Sequence, residues 1–208
     1  MPKNTRSEQE IDAVRERILD HALDILIHNG LDCLSMSKIG SRMKMTAANL
    51  YNYYSNKNEL LIAMHKKAYN LLYEKLSTAA DNEKRKDKKL RILLDAFVNF
   101  GIKNPELYDL MFNRMIPQNS DYIGTPQEKS SKDEFKSSLK SLHLATNIVM
   151  EHFADNNKIT EKDVKLIIIK IFGKFHGLIS LYNSGILKEI DENPRKLIDE
   201  IVRECLLS

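Results

Sequence analysis

The chain has 208 residues, 42% hydrophobic and 29% charged, with a net charge of +3. This length holds one or two domains with room for a sizeable core, and the composition is ordinary for a globular protein. Seven Gly and five Pro argue against a loop-rich all-β fold, and a charge of +3 is too small to imply nucleic acid by itself. The longest apolar cluster, Leu166–Ile169, is flanked by Lys165 and Lys170, so no stretch has the roughly 18 apolar residues a membrane span needs.

Residues 1–10, MPKNTRSEQE, carry no apolar signal core. With Cys33 and Cys205 far apart, the expectation is a cytoplasmic chain with reduced thiols. Lys3 and Arg6 are either a frayed start or a basic arm for phosphates. The first helix is expected over about Glu8–Asn29, because Ile11, Val14, Ile18, Ala22 and Ile25 recur at helical spacing and Leu19, Leu23 and Leu26 widen the stripe. Gly30 suits a left-handed C-terminal position. Ser35 is the N-cap for a short helix over Met36–Met43. A polar turn at Lys44-Met45 follows, then a second short helix from Met45 or Thr46 with Leu50 and Tyr54 inward. Asn56-Lys57-Asn58-Glu59 is a variant capping box for a long helix to about Ala80.

The charge is local. From Ser35 to Lys67 the basic residues are Lys38, Arg42, Lys44, Lys57, Lys66 and Lys67 and the one acid is Glu59, so the local excess exceeds that of the whole chain. Two short helices about a tight turn, in a basic setting, are the pattern of a helix-turn-helix whose second helix enters the major groove. Thr46, Ala47, Ala48 and Asn49 form its leading end. Asn49 suits an adenine edge and the two alanine methyls suit thymine methyls. Thr46, Tyr51 and Lys57 suit phosphates; Tyr51 is either such a contact or core.

Asp81–Lys89 is a charged break, either a helix end or a link. Further helices are expected over Leu90–Lys103, from Pro105 to before Pro117, from a Ser131–Glu134 capping box to about Asp155, from Thr160 to about Ser184, and from Pro194 to Leu206. The fold expected is all-α. A domain boundary is expected inside the long helix, near residue 75, because that helix belongs to both halves. Phe97, Phe100, Tyr108, Met111, Phe112, Met115, Phe172, Phe175, His176 and Ile179 are candidates for an apolar pocket around one polar group; each is alternatively core, and His176 alternatively an interface residue. Ile168, Phe172, Phe175, Ile179 and Tyr182, and Leu197, Ile198, Ile201, Val202 and Cys205, are stripes suited to a two-fold helical interface. No phosphate loop, nucleophile elbow, Cys-His pairing or metal spacing is present, so neither an enzyme nor a metal or cofactor site is expected.

Residues 11–61 resemble the DNA-binding domain of the TetR/AcrR family of transcriptional regulators. The resemblance rests on Ile18-Leu19, Ala22, Gly30, Ser35, Ile39-Gly40, Lys44-Met45-Thr46, Leu50-Tyr51-Asn52-Tyr53-Tyr54 and Asn56-Lys57-Asn58-Glu59-Leu60. Three positions depart from the family pattern: Lys44 replaces the turn Gly, Gly40 a small Ala, and Tyr54 a Phe. Lys44 is therefore expected at positive φ. The resemblance implies DNA contacts from Ser37, Thr46, Ala47, Ala48, Asn49, Tyr51, Asn52 and Lys57. It also implies residues 1–55 as a three-helix DNA-binding domain, residues 56–80 as a linking helix and residues 81–208 as a helical ligand-binding and dimerisation domain, with a homodimer on a palindromic operator, usually a repressor released by a small molecule, which the pocket candidates make apolar or amphipathic. More weakly, Phe172–Leu181 and Pro105–Phe112 resemble the subgroup with a Trp-His-Gly signature, Phe175 standing for the Trp. The alternatives are a helical interaction module, or an activator, whose basic face binds something other than a specific operator.

Overall fold

The computed structural model describes residues 7–114, 117–153 and 160–204, and every regular element among them is helical, so the architecture is all-α as expected. Met115, Cys205, Lys3 and Arg6, named above, lie outside the described residues.

Ten α-helices follow in order: α1 Glu8–Asn29, α2 Met36–Met43, α3 Ala47–Leu50, α4 Lys57–Asn82, α5 Lys86–Lys103, α6 Pro105–Phe112, α7 Glu128–His152, α8 Glu161–Asn183, α9 Ile186–Ile190 and α10 Pro194–Glu204. Short 3-10 turns occupy Leu31–Cys33 and Asn119–Tyr122. Caps set most of these boundaries. Ser7 and Glu10 form a capping box before α1, the Ser35 hydroxyl accepts the Lys38 N–H at 3.2 Å before α2, and Thr160 and Asp163 form a box at the expected start of α8. Gly30 ends α1, yet at φ 78° and ψ 164° it is extended rather than left-handed helical, a region essentially closed to residues with a Cβ.

The structure moves two boundaries and adds a helix, α9. The charged run Asp81–Lys89 shrinks to a three-residue break, because its last four residues form the first turn of α5. Helix α7 starts at Glu128 rather than after Ser131. The Glu128 carboxylate accepts the Gly124 N–H at 2.9 Å, and Ser131 lies inside the helix at 1% exposure, its hydroxyl donating to Asn119 Oδ1 at 3.1 Å. The sequence pattern of a cap was thus occupied by a buried tertiary contact. Helix α9 has too few residues for a helical period to show.

The chain divides into two compact units, one of Met1–Ala68 with Glu106–Lys136, the other of Tyr69–Pro105 with Ser137–Ser208. In the first, α1 packs on α2 and α2 on α3. Ile18, Ala22, Ile25, Leu26, Leu34, Ile39, Leu50 and Leu60 are buried to 2% exposure or less. In the second, α5 packs with α8 and α10, and α9 with both of the latter. Its core holds Val98, Phe175, Ile179, Ile198 and Val202, and Asn183 Nδ2 donates to the Gly101 carbonyl at 3.1 Å.

The turn between α2 and α3 explains two departures from the family pattern together. Lys44 has φ 56° and ψ 38°, and no other non-glycine residue among those described has positive φ. This conformation lets the Met45 N–H reach the Gly40 carbonyl at 2.8 Å. A Cβ on Gly40 would lie 2.6 Å from the Met45 carbonyl oxygen, inside contact distance of rigid backbone. Glycine at position 40 therefore permits a close turn, and the left-handed cost falls on Lys44. Gly40→Ala is expected to lower unfolding free energy by about 1–3 kcal/mol, and Lys44→Gly to raise it by up to about 1 kcal/mol. Urea unfolding of the three proteins checks both signs.

Candidate nucleic-acid interface

Helix α3 has one turn, and such a helix has no stability of its own. Its leading end is capped by Thr46, whose hydroxyl accepts the Asn49 N–H at 3.2 Å. Its inner side is Leu50, fully buried, followed by Tyr53 and Tyr54 at 7% and 2% exposure. The helical pattern then tightens: the Tyr53 and Tyr54 N–H groups both donate to the Leu50 carbonyl, at 2.9 and 3.0 Å. The outer side carries the residues named from the sequence. Thr46, Ala48, Asn49, Tyr51 and Asn52 are exposed and Ala47 is half-buried; Ser37 on α2 and Lys57 on α4 are also exposed. Asn52 Nδ2 donates to Asn49 Oδ1 at 3.4 Å, which holds these two amides as neighbours. Of the alternatives for the tyrosines, the structure makes Tyr53 and Tyr54 core, while Tyr51 stands 49% exposed.

The trailing end is held by a residue that sequence reasoning missed. Arg15 on α1 donates through Nη1 to the Tyr53 carbonyl at 2.6 Å and through Nη2 to Glu59 Oε1 at 2.8 Å. Its guanidinium lies 4.5 Å from the Tyr54 ring centroid, a cation–π distance, and the Tyr54 hydroxyl donates back to the Arg15 carbonyl at 3.2 Å. The other Glu59 oxygen accepts both the N–H and the hydroxyl of Ser55, each at 2.8 Å. Glu59 does reach back as a capping residue, but to Ser55, while Asn56 Oδ1 accepts the Glu59 N–H at 2.9 Å. Arg15 gave no signal in the sequence because its partners lie 38 to 44 residues away.

Burial alone would raise the Glu59 carboxyl, but the Ser55 N–H, the Arg15 guanidinium and the Ser55 hydroxyl outweigh it and hold the group below its ordinary value of 4.5. Burial pushes the Tyr54 phenol up to about 12 despite the nearby Arg15 charge, so it remains a neutral donor.

The local charge is also sorted. Arg42 pairs with Asp24 and reaches Asn29, while Lys67 Nζ sits 2.9 Å from Glu16 and 2.7 Å from Asp20. Desolvation would lower the Lys67 ammonium, but its two carboxylate partners raise it. These two cations brace α2 and α4 against α1. Lys38, Lys44, Lys57 and Lys66 remain exposed in the same segment.

Residues 18–64 match the family described as bacterial regulatory proteins, tetR family. That segment, which runs from α1 through α2 and α3 into α4, is a TetR-family domain. The fold of the chain matches a Rhodococcus sp. RHA1 protein of unknown function with a TM-score of 0.73 at 22% identity, over 99% of this chain and 95% of that one. A TetR family transcription regulator from Marinobacter aquaeolei VT8 gives 0.61 at 17% identity, over 96% and 98%. The regulator FadR from Bacillus subtilis, solved in complex with stearoyl-CoA, gives 0.64 at 17%, over 93% and 97%. At these identities the likeness is one of fold.

The pocket candidates, all outside the matched segment, fall into two groups. In the first unit Tyr108 and Met111 are buried, and the Tyr108 and Phe112 rings lie 4.8 Å apart. Burial raises the Tyr108 phenol far above its ordinary value. In the second unit Phe172 contacts Phe97 at 6.1 Å and stacks on His176 at 5.5 Å, while Phe100, Phe175 and Ile179 are buried. A cavity of about 20 Å³ in the first unit is lined by Leu61, Ile62, His65, Pro117, Tyr122, Ser131 and Glu134, none of them among those candidates. It has room for about one water. On α8 the interface stripe divides: Phe175 and Ile179 are fully buried, Ile168 and Tyr182 are half-buried and Phe172 is 40% exposed, while Leu166 and Ile169, outside that stripe, are 45 and 66% exposed. No group of His, Cys, Asp or Glu able to hold a metal occurs among the described residues, and no helix among them is long and apolar enough to cross a membrane.

Because the folded-state value of Glu59 lies below the unfolded one, ionisation favours the fold. The contribution is whole above about pH 4.5 and is lost as pH falls through the lowered value. Arg15→Ala is expected to cost about 1–3 kcal/mol at neutral pH, since it strips charged hydrogen bonds from Glu59 and Tyr53. Glu59→Gln is expected to cost a similar amount and to flatten the loss of stability between pH 5 and 3. Thermal unfolding across that range measures both.

Proposed function

We propose that this TetR-family transcription regulator is a ligand-responsive repressor that binds a palindromic operator as a homodimer. The observation that carries the reading is the outward edge of α3: small and amide side chains at Thr46–Asn52, backed by buried Leu50 and Tyr54 and set among exposed lysines. Asn49 and the methyls of Ala47 and Ala48 read base edges. Thr46, Tyr51, Asn52, Ser37 and Lys57 hold the backbone and fix register. Residues 1–55 serve as the DNA-binding domain, residues 56–80 as the linking helix and residues 81–208 as the ligand-binding and dimerisation domain.

The second copy covers the exposed apolar edge of α8, Leu166, Ile169 and Phe172. The rival stripe on α10 is less suited, since Ile198 and Val202 are already buried and α10 packs on α5 and α9. The effector is a small apolar or amphipathic molecule, held in the second unit among Phe97, Phe100, Phe172, Phe175, His176 and Ile179. The stearoyl-CoA held by the Bacillus subtilis regulator of the same fold supports an amphipathic one. Half-sites lie about 34 Å apart or multiples of it, so an effector that changes the separation of the two α3 helices by a few ångströms uncouples one contact from the other.

Binding to the duplex upstream of the chain's own reading frame, at two salt concentrations, tests this reading. Salt-sensitive, sequence-selective retention is expected; retention that ignores sequence points to a general anion-binding module. Within it, Asn49→Ala is expected to lose about 1–3 kcal/mol of discrimination at one position per half-site. Lys57→Ala is expected to weaken all duplexes evenly and to reduce the salt slope by about one. Equal losses of specificity in both variants would contradict the two roles. Ile169→Glu is expected to yield a monomer by sedimentation while the helical signal is kept; an unchanged assembly would remove α8 from the interface.

A further inference from the structure

We infer that Gln127, 72 residues away along the chain from Ser55, is a positioning residue for the DNA-reading segment. The inference rests on the reading that α3 contacts bases. Gln127 Nε2 donates to Ser55 Oγ at 3.2 Å. That hydroxyl spends its single proton on Glu59 Oε2 at 2.8 Å, so only its lone pairs face Gln127, and an amide N–H is the group that fits. Glu59 passes the connection to Arg15, and Arg15 to the Tyr53 carbonyl at the trailing end of the reading segment. Every member lies in the first compact unit.

Gln127 is itself held from both sides. Its N–H donates to Thr125 Oγ1 at 3.3 Å, and its carbonyl accepts the Ser131 N–H at 2.9 Å. The position of its amide therefore follows the connection between the Asn119–Tyr122 turn and α7. That connection acts on the reading segment through one hydrogen-bonded chain, distinct from the covalent path along α4. A shift of residues 117–127 that withdraws the amide slackens the Ser55–Glu59–Arg15 bracket and blurs the placement of Asn49 without unfolding the domain.

The test uses the full chain and two duplexes, one retained best from the upstream region and one with the same composition scrambled. Gln127→Ala is expected to lower affinity for the retained duplex about fivefold, the scale of one ordinary hydrogen bond. Affinity for the scrambled duplex and the Tm are expected to stay unchanged. Gln127→Glu, which sets acceptor against acceptor beside Glu59, is expected to lose more. Ser55→Ala, which also removes the Ser55–Glu59 bond, is expected to lose more than Gln127→Ala, and Gln127→Ala made on top of it to add nothing, as two members of one chain do. Unchanged affinity for the retained duplex, additive losses, an equal loss on the scrambled duplex, or a parallel fall in Tm would each overturn the inference. A wild-type chain that does not distinguish the two duplexes would instead overturn the base-reading role of α3, and the inference with it.

Discussion

The bracket formed by Arg15 with Glu59 and the Tyr53 carbonyl decides whether the exposed edge of α3 has a defined place. A four-residue helix followed by a tightened turn leaves carbonyls that the helix cannot satisfy and side chains that its own backbone cannot hold. Leu50 and Tyr54 anchor it from inside. Arg15 closes it from outside, joining α1, the end of α3 and the first turn of α4 through one guanidinium. The planar fork of arginine suits this task, because two fixed donors serve two acceptors on different elements; a lysine has no such geometry. The half-exposed position of Arg15, at 35%, and the more sheltered Glu59, at 16%, keep desolvation modest while solvent screening stays incomplete.

The same economy governs charge. Positive charge near the proposed reading edge has two uses, bracing and attraction, and the structure separates them by helix face. Arg42 and Lys67 turn to the acids of α1 and hold helices together. Lys38, Lys44, Lys57 and Lys66 turn outward. Lys44 is the more unusual of these, since it accepts a left-handed backbone that a glycine would adopt without cost. Gly40 makes that arrangement fit, because its missing Cβ is the space into which the Met45 carbonyl closes. The two departures from the family pattern are thus parts of one turn.

Much of this was legible from local chemistry. Ser35, Thr160 and Pro194 mark helix starts that the structure keeps, and the positive φ of Lys44 follows from the resemblance, in which it stands for the turn Gly. The buried sides of α2 and of α1 from Ile18 on follow from the 3.6-residue period, as does the division of Tyr51 from Tyr54, while Ile11, at the start of the same stripe, is exposed. What was hidden depends on partners distant along the chain. Arg15 reads as one more charged residue on a helix, and Gln127 as one polar residue in a loop. Ser131 carries the pattern of a cap and is instead a buried donor to Asn119. The local charge excess overstated the outward field for the same reason, since the acids that neutralise Arg42 and Lys67 lie on α1. The aromatic residues of the second half announce an apolar interior, but composition does not separate a packed core from a ligand pocket.

Selection from a random duplex pool by the full-length chain tests most directly whether α3 is a reading edge. The account predicts enrichment of a two-fold symmetric sequence, with half-sites centred about one helical turn (~34 Å) apart or a multiple of it. It further predicts that Asn49→Ala shifts the preferred base at one position in each half. A pool that stays unenriched, or one in which Asn49→Ala recovers the wild-type sequence unchanged, would contradict it.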